Sequence, residues 1–151
     1  MSLTDDGMEF KNILVAYDSS AFSNRAFKKT LDFAESGKSK ITIVTVVTGI
    51  YQPSIGFSIK YAGNVLEDHR KLIKKAFERL KPMANKRGIK LSLTILHNPS
   101  VSNAILNYVN SHKYDLIVIG SHGRTGLKKA ILGSVANEVS NKAKIPVMVV
   151  K

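Results

Sequence analysis

Five short apolar runs, rich in β-branched side chains, alternate along the chain with four longer segments of helical period. No other property of the sequence narrows its fold so far. The runs are 11–17 (KNILVAY), 41–47 (ITIVTVV), 90–96 (KLSLTIL), 114–119 (YDLIVI) and Pro146 to Val150 (PVMVV). Near-continuous apolar runs of this length read as strands covered on both faces, and a proline is permitted at a strand's first position. Strands that alternate with helices imply a mostly parallel sheet, and right-handed crossovers wind it doubly. The expectation is one α/β domain, a five-stranded doubly wound parallel sheet with helices on both faces. Ligands of such sheets bind beyond the carboxyl ends of the strands, where the winding reverses. If strands one and four adjoin there, Asp18 and the loop after Gly120 share one crevice.

The intervening segments carry helix signals. Asp18-Ser19-Ser20 closes the first strand with turn and cap chemistry, and Asp18 by itself could be a helix cap. Ala26, Phe27, Thr30, Leu31 and Ala34 then recur at helical spacing, with Gly37 placed to end the helix. Residues 48–63 have no clean period and read as a long excursion. Asn64 and Glu67 resemble a capping box that opens a long helix. Its inner face is Leu66, Ile73, Phe77, Leu80 and Ala84, its end is Gly88, and Pro82 is expected to kink it or break its last turn. Asn98-Pro99-Ser100 is a turn and cap before Val101, Ala104, Ile105 and Tyr108.

Length and composition bound the rest. At 151 residues the chain is most economically one domain, read as a tail over 1–10 and a folded unit over 11–151. No apolar run approaches the roughly 18 residues that span a membrane, and MSLTDDGMEF has no signal-peptide core, so no membrane partner is expected. The absence of cysteine excludes disulfides, thiolate metal sites and cysteine nucleophiles, and fits a cytoplasmic location. The formal net charge of +12 raises nucleic acid as a partner. The bases are scattered, however, and the densest segment, 70–90, matches the solvated face of one amphipathic helix. Nucleic-acid binding therefore rests on charge alone.

Chemistry concentrates in residues 116–135, LIVIGSHGRTGLKKAILGSV, which hold four of the ten glycines: Gly120, Gly123, Gly126 and Gly133. Glycine accepts positive φ and lets a ligand approach the backbone. Successive amides can form a nest for phosphate, and Ser134, a good N-cap residue, opens a helix whose first amides would also face an anion. Walker A is not present: Gly37-Lys38-Ser39 supplies its tail, but Asp32 stands at the first glycine position. G-x-G-x-x-G is absent too. Arg124 is placed either to clamp a phosphate or to sit in solvent. His122 has no base, nucleophile and orienter set around it, and His69, His97 and His112 lack metal-ligand spacing.

What stands is Gly120-x2-Gly123-x9-Gly133-Ser134, after an apolar strand and before a helix. With ILVAYDSS, ITIVTVV, YDLIVIGSHG, LGSVANEV and PVMVV in this order, the chain resembles the universal stress protein family, in its subgroup with the ATP motif G-x2-G-x9-G-[ST]. That resemblance implies a Rossmann-like sheet of strand order 3-2-1-4-5 and an ATP site at the ends of strands one and four. Asp18 matches the residue that contacts adenine and ribose, beside Ala16, and Val46 a position packing on adenine. Gly120 would lie against the ribose, and Gly123, Gly133, Ser134 and Val135 would line the phosphates, accompanied by Mg2+ or Mn2+. The resemblance also implies a homodimer pairing through the strand from Pro146 to Val150. The function expected is a nucleotide-responsive regulatory module in stress response, with slow ATP hydrolysis as the alternative; AMP or a cyclic nucleotide remains open as the ligand. Two departures bear on the site. Tyr17 before Asp18 could narrow the pocket or stack on the base, and Asn98 stands where the family often has glycine.

Overall fold

A computed structural model describes residues 9–36, 38–49, 59–124 and 131–151. The elements run β1 (Asn12–Ala16), α1 (Ala21–Phe33), β2 (Lys40–Val47), α2 (Ile59–Lys86), β3 (Lys90–His97), α3 (Val101–Ser111), β4 (Leu116–Gly120), α4 (Ser134–Lys142) and β5 (Val147–Val150). All five strands lie in one sheet of order β3-β2-β1-β4-β5, and every pairing is parallel. The expected fold is the observed one.

Strand alternation sends the apolar residues of β1 to two cores. Ile13 and Val15 join Phe27 and Leu31 of α1 and Phe77, Leu80 and Ala84 of α2. Leu14 points the other way, toward Ile105 and Val109 of α3 and Ala136 and Val139 of α4. Helices α1 and α2 therefore cover one face of the sheet, and α3 and α4 the other. Ile13, Leu14 and Val15 are fully buried, as a central strand covered on two faces should be. At the amino ends of β1 and β4, Asp115 Oδ2 accepts from the amides of Lys11 and Asn12 at 2.8 and 2.7 Å.

Local signals were kept or displaced for identifiable reasons. The N-cap of α1 is Ser20, whose hydroxyl accepts from the Ser23 amide at 3.1 Å. Asp18 stands two residues before it, its Oδ1 accepting from the Ser20 amide at 3.0 Å, so it is not the cap. Helix α1 ends at Ala34, and Gly37 lies outside the described residues. Helix α2 begins at Ile59, so Asn64 and Glu67 are interior positions and not a capping box. Of the excursion over 48–63, residues 50–58 fall outside the described residues, and its last five residues are helical. Pro82 does not stop α2, which continues to Lys86. Its side chain faces solvent on the last full turn, where the carbonyl it leaves unpaired can bond to water. Gly88, at φ 65°, ends α2 as expected.

Candidate functional site

A cavity of about 410 Å³ opens at the carboxyl ends of β1, β2 and β4, on the α3/α4 face. It lies where the winding reverses between β1 and β4. Its floor is apolar: Val44 and Val46 of β2, Val101 and Ile105 of α3, and Ile119 of β4. The rim is polar, with Asp18 and Ser23 on one side and Ser121, His122, Gly123, Gly133 and Ser134 on the other. An apolar slot with a few converging polar groups is the usual form of a small-molecule site, and its volume is within the usual range.

Eight of the nine residues singled out from the sequence meet in this wall: Ala16, Asp18, Val46, Gly120, Gly123, Gly133, Ser134 and Val135. Arg124 is the exception. Its Nε donates to the Asp18 carbonyl at 2.8 Å, so it fastens the loop after β4 to the end of β1. The glycines serve close approach, not unusual φ. A Cβ on Gly120 would stand 2.8 Å from the backbone of Phe22, and one on Gly133 would stand 2.8 Å from the Ser121 carbonyl oxygen. At Gly123 the Cβ would meet Asp18 Oδ2 at 3.0 Å. Gly126 lies outside the described residues.

The N-cap of α4 is Gly133, which leaves Ser134 as the first helical residue and no side chain bonded over the helix start. The Gly133 amide is committed to the Ser121 carbonyl at 2.7 Å, so it is not a phosphate donor. The first-turn amides of Ser134, Val135 and Ala136 are those a helix leaves without an intrahelical acceptor, and all three residues line the cavity. Positive helix-end potential and open donors thus face the cavity together.

Several wall residues were not singled out as site residues. His122 ties the end of β4 to the segment before α4: Nε2 donates to the Ile131 carbonyl at 2.6 Å, leaving Nδ1 to accept from the Ser121 hydroxyl at 3.1 Å. Its ring packs 5.0 Å from that of Phe22, over which the Arg25 guanidinium sits at 4.4 Å. Nothing in the spacing marks that latch. Val44, Val101, Ile105 and Ile119 read as core in the sequence and are core that stops at a cavity. Tyr17 contributes to the wall, but its ring belongs to the α1/α2 core and its hydroxyl donates to Asn24 at 2.8 Å. Burial pushes that phenol above its ordinary pKa. The ring packs on the α1/α2 side of the sheet, not on the face where the cavity opens. Asn98 avoids a left-handed conformation and instead accepts from the Ser100 amide at 2.9 Å.

Comparison with known proteins fits this geometry. The universal stress protein family model matches residues 9–151. The chain belongs to the universal stress protein family. Universal stress protein MJ0531 of Methanocaldococcus jannaschii is 31% identical over 146 residues, covering 94% of this chain and 82% of that protein. Universal stress protein YxiE of Bacillus subtilis is 30% identical over 152 residues, covering 94% of this chain and 99% of its own. The solved structure of hypothetical protein MJ0577 superposes with a TM-score of 0.81 at 26% identity, covering 93% of this chain and 95% of that one. Two other members of this fold were solved with adenine nucleotides. One, from Arabidopsis thaliana with AMP bound, has a TM-score of 0.63 at 21% identity, covering 93% and 91%. The other, from Archaeoglobus fulgidus in complex with dAMP, has a TM-score of 0.60 at 20% identity, covering 95% and 100%.

Among the described residues, no helix is long and apolar enough to cross a membrane, and no group of three metal-ligating side chains is present.

Proposed function

We propose that this protein is an adenine-nucleotide-binding regulatory module whose ligand is ATP and whose output is a conformation or a dimer. The observation that carries this reading is the cavity itself: an apolar slot beside Asp18 that ends at the open amino end of α4. Val46 and Ala16 would pack on the adenine, and Asp18 Oδ2 would take a ribose or base donor while Oδ1 holds the Ser20 amide. Gly120 would lie against the ribose. The amides and hydroxyl at Ser134 and Val135 would take phosphate, with Gly123 leaving room for it to pass Asp18. A divalent cation would be held by the phosphates and water. The AMP and dAMP complexes on this fold supply the ligand class.

Binding without turnover is favoured by how the ionisable groups are used. His122 has both ring nitrogens engaged, and Asp18 gives Oδ1 to the Ser20 amide and, in this reading, Oδ2 to the ribose or base at the end of the ligand away from the phosphates. Neither is positioned as a free base for in-line water. The same reading makes β5 a dimer edge and places the protein in the cytoplasm.

The test combines mass spectrometry of small molecules released from freshly purified protein with calorimetric titration of ATP, AMP and cyclic AMP. Expected are a bound adenine nucleotide, tightest binding for ATP, and no single-turnover hydrolysis above background. A preparation that releases no nucleotide and gains no thermal stability from ATP would overturn the assignment.

A further inference from the structure

A second concave site lies at the opposite ends of the same strands. It is a cleft of about 230 Å³ lined by Asn12, Lys40, Thr42, Lys90, Ser92, His112, Lys113 and Tyr114. Three lysines and a histidine surround it, and no carboxylate is in its wall. Asp115, next to Tyr114, spends Oδ2 on the amides of Lys11 and Asn12. Among the described residues, the ion pairs engage other lysines and leave Lys40, Lys90 and Lys113 without an acidic partner.

Two features set this cluster apart from scattered surface bases. Lys40 and Lys90 stand directly across from each other in the parallel register of β2 and β3, and Thr42 and Ser92 follow them on the same face. Like charges placed opposite one another on a sheet destabilise it. An anion between them would turn that repulsion into attraction. The remaining wall supplies neutral donors. Ser92 and Thr42 hydroxyls are bonded to each other at 3.2 Å. The Tyr114 hydroxyl, pushed up to about 12 chiefly by burial, stays protonated at neutral pH and donates to the Tyr108 hydroxyl at 3.5 Å, a long bond that an anion could replace. His112 is fixed at the rim by its Nδ1, which donates to the Tyr108 carbonyl at 2.8 Å.

We propose that this cleft is a second anion site, in which Lys40, Lys90 and Lys113 take a compact phosphate-bearing anion of the diphosphate class. A cleft of about 230 Å³ fits one compact anion, and its wall of lysines and hydroxyls offers no apolar pocket for peptide side chains. The inference does not rest on the nucleotide reading, because the two cavities share no residue.

The test is a titration of the full-length protein with inorganic pyrophosphate at low salt, followed by amide NMR, with and without saturating ATP. Expected are shifts at Lys40, Ser92, Lys113 and Tyr114 that persist in ATP. The double variant Lys40→Gln/Lys90→Gln, its fold checked by circular dichroism, should lose about tenfold or more in affinity, as removal of charge-assisted hydrogen bonds predicts. Lys74→Gln/Lys75→Gln, on the exposed face of α2, should stay within about twofold of wild type, since it removes equal charge elsewhere. Equal loss in both double variants would reduce the effect to net charge and overturn the site. So would shifts confined to the crevice around Asp18, or an acidic peptide or oligonucleotide that engages these lysines where pyrophosphate does not.

Discussion

At the scale of single residues, the site depends on three glycines that are tight because of what lies behind them. Gly133→Ala would push a methyl group against the Ser121 carbonyl oxygen at 2.8 Å, with His122 Cα at 3.3 Å behind it. Both neighbours are backbone and cannot step aside cheaply. The variant is expected to displace the start of α4, weaken nucleotide binding at least tenfold, and cost about 1–3 kcal/mol of stability, measured by calorimetry and urea unfolding. A variant that binds as wild type would show that the Gly133–Ser121 contact does not position the helix. The sequence made these glycines conspicuous, but positive φ, one of the two reasons offered for them, is not used, and their tight internal packing was not foreseen. Glycines chosen for positive φ and glycines chosen for close packing look alike until the opposing atoms are seen. Asp18 stood out through the family resemblance and the expected meeting of strands one and four, because by itself it reads equally as a helix cap. Arg124 and His122 were not legible, since their partners are the backbone carbonyls of Asp18 and Ile131, and a carbonyl leaves no trace in residue identity.

At the scale of elements, period and punctuation settled nearly everything except where helices begin. The strands differ from expectation only at their ends, because β-branched runs announce themselves. The start of α2 was lost because Asn64 and Glu67 imitate a cap while the chain is already helical from Ile59. Pro82 does not break the last turn of α2, because a proline's cost in a helix is moderate where water can serve the orphaned carbonyl. Pro82→Ala should therefore raise stability by about 1–3 kcal/mol, less whatever the looser unfolded chain gives back. Thermal and urea unfolding would show it, and a destabilised variant would mean the ring packs usefully. Ser20→Ala should act the other way by about 1 kcal/mol, through loss of the cap on the Ser23 amide. Because Ser20 follows Asp18 in the same turn, this variant should also loosen nucleotide binding modestly.

At the scale of the whole molecule, charge and sheet edges set the behaviour. Glu138 is held below its ordinary pKa, first by Lys142 and then by the Ser102 hydroxyl, and Glu35 is lowered mainly by Lys38. For a carboxyl lowered in the folded state, the unfolded chain binds more protons. Its stabilisation is therefore present above the ordinary carboxylate value and is lost as pH falls through the lowered one. Urea midpoints should fall on acidification below about pH 4.5, and Glu138→Gln should flatten that limb. An unchanged acid limb would assign the loss to other groups. The open edge of β5 allows a separate test of assembly. Pro146 and Val150 turn their carbonyls to β4, accepting from Ile117 and Ser121 at 3.0 and 2.8 Å. Strand alternation then points the Val149 amide outward. Val149→Pro should leave the monomer folded and abolish the proposed dimer in sedimentation analysis. A dimer that survives would place the interface elsewhere. The sheet order carries one more consequence, for the time in which the chain is made. Strand β1 leaves the ribosome first, and β2 can join it early, but its other neighbour, β4, begins only at Leu116. The most deeply buried strand must therefore wait, half-covered, through most of synthesis. Nascent chains halted before Leu116 should stay protease-sensitive, and the crevice is among the last parts of the protein to come into being.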